Sequence, residues 1–271
     1  KNQSHIFISG LPRSGTTSLL NFIYSSDQYA SLTYKNMPFV LSPHLSKFFN
    51  KKNFSKKERL HTDGINYDIN SPEALDEIFF NNDEEFIKNE LVNYVQLVLL
   101  SENRLNYLSK NNLNFKRINL IKSVLPNSIF LIPVREPLQH ANSLQKQHLH
   151  FSNLQNKNIF IRKYMDYLGH CEFGLGHKPW NKPLKYKDAT NMNYWLEQWF
   201  LFYKNIYEKF KNNPNCSFVI YESLSNKFYI KERIHNLTNS NLDVSIFKDS
   251  NKNKIDVQYD KSLYKNSLQV Y

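Results

Sequence analysis

The residues from Gly10 to Thr17, GLPRSGTT, have the types and spacing of a phosphate-binding loop. They lie between a predicted buried strand and the predicted first turns of a helix. Such a loop points several backbone N–H groups at one place, at the positive end of the helix dipole, and so binds an anion. The spacing nearly matches the nucleotide-binding loop of ATP and GTP enzymes, which have a lysine where this chain has Thr16.

The missing lysine changes which anion the loop suits. In ATP and GTP enzymes that lysine holds the β- and γ-phosphates, and Thr16 cannot replace it. A basic residue occurs within the loop instead, at Arg13. The loop is therefore suited to a shorter anion than a Mg²⁺-bound triphosphate, held by backbone N–H groups, hydroxyls and one cation. Taken alone, the stretch could also be an ordinary turn rich in small residues.

Polar residues also follow two further predicted strands. Lys110 follows one of them, and Arg135 ends the apolar run from Ile129 to Val134. In a parallel sheet these ends meet the loop at one edge. Ser143, in the next predicted helix, could bind a second phosphate together with Arg135. Two separated anion sites suit a nucleotide phosphorylated at its 3′ and 5′ positions. Alternatively, Arg135 pairs with Glu136 at the surface and Ser143 is an ordinary helix serine.

Three short motifs resemble those of the sulfotransferases that use 3′-phosphoadenosine 5′-phosphosulfate (PAPS). Residues 12–20, PRSGTTSLL, are similar to their 5′-phosphosulfate loop, and VREP through Ser143 is similar to their 3′-phosphate motif. Tyr221-Glu222 resembles a late strand ending in Tyr-Glu. The resemblance covers roughly residues 4–225. It is closer to a group of bacterial sulfotransferases than to the cytosolic aryl and steroid enzymes, whose late glycine-rich loop is not visible here.

The resemblance implies PAPS as co-substrate and a three-layer αβα fold with a central parallel sheet, like that of the P-loop NTPases. Sulfuryl transfer is an in-line displacement, close in logic to phosphoryl transfer. We expect Arg13 and Lys110 to stabilise the charge on the leaving phosphate, and the N–H groups of residues 14–17 to hold the 5′-phosphate. The implied cofactor-binding residues are Pro12, Arg13, Ser14, Gly15, Thr16, Thr17, Ser18, Arg135 and Ser143.

The base that takes the acceptor's proton has no counterpart in these motifs. Aryl sulfotransferases have a histidine just after the strand-end lysine, where this chain has Asn111 and Asn112. Tyrosylprotein sulfotransferases have a glutamate after their second strand, where it has residues 34–36, YKN. We favour His61, because the intrinsic pKa of histidine suits the role and Asp63 could orient the ring. In the alternative, His61 is a surface residue of a polar loop. The other candidates are Glu73, His148 and Glu172.

The elements that must position these residues alternate between strand and helix, which predicts an α/β fold with a parallel sheet, in a single domain over residues 1–271. Strands are predicted over residues 4–9, 30–33, 104–108, 128–134 and 216–221. Helices are predicted over residues 16–25, 71–79, 83–100, 113–124, 160–168 and 192–210, and from Pro137 onward. The Lys-rich stretch 36–76 has few periodic signals, so we expect a lid-like excursion across the mouth of the sheet.

Composition narrows the class of partner. The 271 residues carry a formal net charge of +11, which suits an anionic substrate and equally suits nucleic acid. The lysines are scattered among asparagines, however, which argues against a nucleic-acid surface. Two distant cysteines form neither a disulfide framework nor a zinc site, and the spacing of histidines and carboxylates indicates no metal. With no apolar run long enough to span a bilayer, we expect a cytoplasmic protein.

The sequence therefore predicts an enzyme that moves a sulfuryl group from PAPS to a hydroxyl or amine acceptor, which we expect to be a carbohydrate or small metabolite. Three other interpretations stay open: a P-loop-type nucleotide-dependent kinase, a non-catalytic anion-binding protein, and a sulfotransferase-like protein without activity. Two residues argue against the kinase interpretation. Thr16 stands where a kinase of this type has lysine, and Arg135 stands where a Mg²⁺-binding aspartate would be expected. The sequence leaves the oligomeric state open.

Overall fold

Five parallel strands form the main sheet of the computed structural model, which describes residues 4–49, 55–58, 66–167, 171–235 and 255–271. In sheet order they are β2 (Tyr29–Ala30), β5 (Asn106–Lys110), β1 (Ile6–Ile8), β6 (Ile129–Val134) and β7 (Cys216–Ile220). A separate antiparallel pair consists of β3 (Lys57–Glu58) and β4 (Asn66–Tyr67).

Helices cover both faces of the main sheet. The longer ones are α1 (Thr16–Tyr24), α3 (Glu84–Glu102), α5 (Pro137–Lys157), α6 (Ile159–Tyr167), α7 (Met192–Phe210) and α9 (Lys261–Val270). The shorter ones are α2 (Glu77–Phe80), α4 (Ile118–Val124), α8 (Lys227–Ile230) and a π-helix (Lys231–His235). Single 3-10 turns or helices span Tyr34–Asn36, Pro43–Phe48, Asn114–Lys116 and Tyr221–Ser223. Within the ranges described, none of the helices has both the length and the apolar character that crossing a bilayer requires.

Alternation along β1 divides the core into two layers. Ile6 and Ile8 belong to a cluster on the α1 side that also contains Leu19. Phe7 points to the opposite face and packs on Phe130, with ring centroids 5.5 Å apart, in a cluster that includes residues of α3, α5 and α7. A parallel strand covered on both faces is apolar throughout, since successive side chains alternate between them. The predicted three-layer α/β fold with a central parallel sheet is confirmed.

The direction of strand addition reverses at β1. The chain adds β2 and β5 on one side of β1 and later adds β6 and β7 on the other, so a crevice opens beyond its carboxyl end. The loop after β1 begins there. The ends of β5 and β6 flank this loop, because Ile8 pairs with Lys110 on one side and with Leu131 on the other. The three polar strand ends therefore lie along one edge of the sheet.

Side-chain caps set two of the helix starts. Asp83 accepts from the N–H of Phe86 at 2.8 Å at the start of α3. Glu136 accepts from the N–H of Gln139 at 2.7 Å at the start of α5, with Pro137 in the first position. Both starts agree with the helices predicted there. α7 spans the residues predicted for it.

One predicted helix start is wrong. The Ser-Pro pair at residues 71–72 is typical of an N-terminus, yet α2 begins only at Glu77. The proline of this pair forms an isolated antiparallel bridge with Thr33, and the N–H of Glu73 donates to the carbonyl of Leu32 at 2.9 Å. Pairing with the stretch after β2 thus takes backbone groups that a helix would have used.

Two further elements are shorter than predicted. β2 ends at Ala30 rather than at residue 33. The helix predicted over residues 113–124 is divided into a 3-10 turn and α4. At the junction the N–H of Arg117 donates to the carbonyl of Asn114, three residues back, at 3.0 Å. Such bonds tighten the turn and interrupt the α-helical pattern.

Pro133 lies within β6 although proline cannot donate a backbone hydrogen bond. On one side its position pairs with Val219 of β7. On the other side β1 has already ended: the N–H of Ser9 donates to the carbonyl of Leu131 at 3.0 Å, and the proline ring then lies beside Gly10. Pro133 therefore lies beside the point where the loop after β1 leaves the sheet.

The lid-like excursion predicted over residues 36–76 is described in part. The 3-10 helix Pro43–Phe48 packs on α3, and β3 pairs with β4. His61 and Asp63 fall within residues 59–65, which lie outside the described ranges. Their roles, the lid and the single domain over residues 1–271 stay predictions.

Candidate functional site

Three successive carbonyl groups of the loop after β1 are bound by the protein itself. The carbonyl of Leu11 accepts from the N–H of Ser14 at 3.3 Å and from its hydroxyl at 2.8 Å. The carbonyl of Pro12 accepts from Nε2 of His140, on α5, at 2.7 Å. The third carbonyl, that of Arg13, accepts from the side chain of Arg135, the residue that follows β6. The N–H of Ser14 is thus used within the loop, which leaves those of residues 15–17 among the N–H groups predicted to hold the 5′-phosphate.

Arg13 joins the loop to β6 and α5. Its backbone has a left-handed φ of 68°. Its carbonyl accepts from Nη1 of Arg135 at 3.2 Å, and its Nε donates to the hydroxyl of Ser143 at 3.3 Å. The fold therefore brings together three residues that the sequence assigns to the two phosphates, although Ser143 lies 130 positions from Arg13 along the chain.

Glu136 is not used as a surface partner for Arg135, the alternative that the sequence left open. Its two carboxylate oxygens accept from the hydroxyl of Tyr264 and from the N–H of Gln139, both at 2.7 Å. The indole Nε1 of Trp199 donates to the carbonyl of Arg135 at 3.1 Å. These bonds fix the turn after β6, from which the guanidinium reaches the loop.

Gly15 precedes α1 at a position with no room for a side chain. Its φ is 95°, in the left-handed region. A Cβ atom here would lie 2.4 Å from Cδ2 of Tyr221. The guanidinium carbon of Arg135 lies 5.1 Å from the centroid of the same ring, so Tyr221 contacts both the loop and the arginine. Glycine is required both by its conformation and by this close approach.

The first turn of α1 carries the remaining loop residues predicted to bind the cofactor. Thr16 is buried, Thr17 is half-buried and Ser18 is exposed. The first N–H groups of a helix have no partner within it, and Gly15 has no side chain to cap them. Together with the dipole of α1, such N–H groups have the chemistry that suits an anion.

Lys110 ends β5 and is 9% exposed. By alternation along the strand it lies on the α1 side of the sheet. Its neighbours Ser109 and Asn111 instead donate to the buried carboxylate of Asp76, which also accepts from the hydroxyl of Tyr107 at 3.1 Å. Burial raises the pKa of Asp76. These hydrogen bonds fix the strand end that carries Lys110.

His140 is a part of the site that the sequence did not predict. It is fully buried, and burial lowers its pKa to about 3, so the imidazole is neutral at pH 7. Because a carbonyl can only accept, the Nε2 that binds Pro12 carries the proton. A signal was present: His140 lies three residues before Ser143 in a predicted helix, and residues three apart share a helix face.

A family model described as the sulfotransferase family matches residues 5–175, more than half of the chain. This chain belongs to the sulfotransferase family. No curated protein matches it by sequence. The matched residues include the loop, Lys110, Arg135 and Ser143, and membership confirms the resemblance drawn from the sequence motifs.

Solved structures similar to this sulfotransferase family member include three bacterial-type examples. A sulfotransferase domain from the curacin biosynthetic pathway is 14% identical, with 90% of this chain and 76% of that chain covered and a TM-score of 0.46. A sulfotransferase from Mycobacterium avium is 12% identical, with 99% and 68% covered and a TM-score of 0.46. One from Alicyclobacillus acidocaldarius is 12% identical, with 91% and 87% covered and a TM-score of 0.44.

Two of the candidate bases already accept hydrogen bonds from other parts of the chain. Glu73 accepts from the hydroxyl of Tyr34 at 2.8 Å. His148 accepts from the N–H of Gly174 through Nδ1 at 3.3 Å. In the neutral ring the proton is then on Nε2, so His148 is a donor rather than a base in this arrangement.

Glu172 is the described candidate that approaches the end of β5. Its carboxylate accepts from the side-chain amide of Asn112 at 3.4 Å. Asn112 follows Lys110 by two residues, and its carbonyl accepts from the hydroxyl of Ser9 at 3.3 Å. Glu172 is therefore connected to the strand end of Lys110 and to the start of the loop.

Gly15→Ala should lower the unfolding free energy more when Tyr221 is present than when Tyr221 has itself been replaced by alanine. In wild type the Cβ adds strain from its left-handed φ and a clash with the ring, together about 2–4 kcal/mol of unfolding free energy. Without the ring only the conformational part remains, about 1–2 kcal/mol. Denaturant unfolding of G15A, Y221A and the double variant gives the coupling. Equal costs in both backgrounds would contradict the close approach.

Acid should destabilise the protein partly through His140. Since its folded-state pKa is lowered to about 3 from 6.5, the unfolded chain binds the proton first. The contribution of the neutral His140 to the unfolding free energy is therefore complete above pH 6.5. It is lost as the pH falls toward 3, by at most ~1.4 kcal/mol per pH unit. His140→Gln keeps a donor but does not titrate, so its unfolding free energy should fall less steeply between pH 7 and 5.

Denaturant unfolding at several pH values checks this, with His150→Gln as the control, because His150 is an exposed residue of the same helix. H150Q should follow the wild-type curve. Identical slopes for wild type and H140Q would show that the buried imidazole does not titrate as stated.

Proposed function

We propose that this chain transfers the sulfuryl group of PAPS to a hydroxyl or amine acceptor, a carbohydrate or a small metabolite. The observation that supports PAPS most is the junction of Arg13 with Arg135 and Ser143 beside the N-terminus of α1. This junction adjoins two anion sites, one made of helix N–H groups and one of a guanidinium and a hydroxyl. Their pairing suits a donor with one anionic group at each of its 3′ and 5′ positions.

The 5′-phosphosulfate would be held by the loop, from Pro12 to Ser18. The N–H groups of residues 15–17 and the hydroxyls of Thr16 and Thr17 supply the donors, while Ser14 supports the loop through its bonds to the carbonyl of Leu11. These neutral donors at a helix N-terminus suit a short anion. Metal ions have no part in this proposal.

The 3′-phosphate would be held by Arg135 and Ser143. A guanidinium presents two parallel N–H groups to a phosphate, and its charge strengthens both hydrogen bonds. Arg135 already donates one bond to the carbonyl of Arg13. Binding of the 3′-phosphate would thus engage the same side chain that holds the loop, which couples the two ends of the donor.

In the chemical step an acceptor oxygen or nitrogen attacks sulfur, and the bond from sulfur to the bridging phosphate oxygen breaks. The leaving group, adenosine 3′,5′-bisphosphate, takes the electron pair of that bond. Arg13 and Lys110 would stabilise the charge that develops on the bridging oxygen. His61 is the base that we propose for the acceptor's proton, with Asp63 orienting it.

Adenosine 3′,5′-bisphosphate should raise the melting temperature of the chain more than ATP–Mg²⁺ does, because only the bisphosphate matches both anion sites. Arg135→Ala should weaken bisphosphate binding about tenfold or more, since a hydrogen bond to a charged group contributes ~1.5–3 kcal/mol. Binding of adenosine 5′-monophosphate should weaken less, because it loses only the support that Arg135 gives the loop at the Arg13 carbonyl. Thermal shift and calorimetric titration measure both.

Arg104→Ala is the matched control, because Arg104 forms a surface ion pair with Asp27 at 2.6 Å and is not part of the site. R104A should keep the wild-type preference for the bisphosphate. If ATP–Mg²⁺ raised the melting temperature of the wild-type chain as much as the bisphosphate or more, PAPS would be ruled out as the donor and a kinase would be favoured.

His61→Ala should reduce kcat by about a hundredfold with little change in donor affinity, since a general base contributes 10²–10⁴-fold. Glu172→Gln is measured in parallel, because Glu172 is the described carboxylate beside the Lys110 strand end. Unchanged turnover in H61A together with a large loss in E172Q would move the base to Glu172.

A further inference from the structure

A cavity of about 900 Å³ lies between α5, the first turn of α7 and residues 171–189. This volume is typical of small-molecule sites. His148 and Ser152 of α5 line one wall, and Tyr194 of α7 and His177 line another. The function proposed above uses none of these four residues.

The helices α5 and α7 connect this cavity to the loop. They run antiparallel: the rings of His140 and Tyr203 lie 6.2 Å apart near the loop, and those of His148 and Trp195 lie 5.3 Å apart near the cavity. His140 binds the carbonyl of Pro12, and His148 follows it by eight residues, about 12 Å along a helix. One residue of α5 thus binds the loop and another lines the cavity, about 12 Å apart along the helix.

The segment after α6 makes a second connection. Gly174 and His177 line the cavity, and Glu172 accepts from the amide of Asn112 beyond the end of β5. The N–H of Gly174 donates to Nδ1 of His148 and fixes this segment to α5. One short segment therefore touches both the strand end at the donor site and the cavity.

The inner wall of the cavity is uncharged at neutral pH. The hydroxyl of Tyr194 pairs with Nε2 of His177. Burial lowers the pKa of His177 to about 4, and it also lowers that of His148. Among the lining residues that the structure describes, the charged ones are Lys182 and Lys187, both exposed at the rim.

We propose that this cavity binds the acceptor, and that the acceptor has an apolar body and one anionic group. The inference rests on the sulfuryl transfer proposed above. The apolar body packs against lining residues such as Leu184 and Ala189, and the anion lies at Lys182 and Lys187. The nearby carboxylate of Asp188 accepts from the N–H and hydroxyl of Thr190 and does not line the cavity.

Three phenols of similar shape test the proposal by their charge. They are 3-(4-hydroxyphenyl)propanoate, its primary amide and 3-(4-hydroxyphenyl)propylamine, which are anionic, neutral and cationic at pH 7. Calorimetric or NMR titration of the whole chain, without donor, measures their affinities. We expect the anion to bind about fivefold more tightly than the amide, and the cation most weakly.

Substitutions in the cavity lining test whether the phenols bind there. Lys182→Ala with Lys187→Ala should remove the preference for the anion, while Lys178→Ala, on the same segment but outside the cavity lining, should keep it. Ser152→Trp should fill the cavity and abolish detectable binding of all three phenols, whereas Ser152→Ala should not.

The melting shift with adenosine 3′,5′-bisphosphate is measured for every variant as a control for the fold and the donor site. A retained shift with lost phenol binding supports the cavity. Equal affinities for the three phenols, or binding that S152W leaves unchanged, would overturn the acceptor proposal and leave the donor proposal intact. A wild-type chain without any bisphosphate shift would overturn the donor proposal instead.

Discussion

The loop after β1 is shaped by hydrogen bonds donated to its carbonyl groups. A peptide unit points its C=O and its N–H in opposite directions, so a loop whose carbonyls are bound by the protein exposes N–H groups elsewhere. Here the carbonyls of Leu11, Pro12 and Arg13 accept from Ser14, His140 and Arg135. Ser14 belongs to the loop itself, whereas His140 and Arg135 reach the loop only through α5 and the parallel sheet. The conformation of the loop therefore depends on the packing around it.

The sequence predicts those parts of the site whose residues follow directly from a recognisable local pattern. The loop spacing, Lys110 and Arg135 each follow an apolar run that reads as a strand, and parallel strands bring their ends to one edge. The contact of Tyr221 with Gly15 and the bond from His140 to Pro12 depend on distant elements meeting. For His140 the sequence holds only a partial signal, its spacing of three residues from Ser143, and for the contact of Tyr221 with Gly15 it holds none.

One failure in the fold has the same origin. A Ser-Pro pair at residues 71–72 has the local chemistry of a helix start, yet the bridge to Thr33 takes its backbone. The start of α3 at Asp83 follows its local signal, because its capping bond lies within the first turn. The two helix starts thus differ in whether the backbone groups find their partners within the segment or in a distant one.

The C-terminal helix α9 and the tyrosine that follows it bind two acidic side chains near the candidate site. Two carboxylates adjoin the arginine and the tyrosine of the anion site, those of Glu136 and Glu222. Tyr264 of α9 donates to the first and Tyr271 to the second, across 128 residues of chain in the first case. A carboxylate that accepts from a phenol and from a backbone amide is held in one orientation by both bonds. The C-terminal end of the chain therefore helps to fix two acidic side chains next to the segments that carry Arg135 and Tyr221.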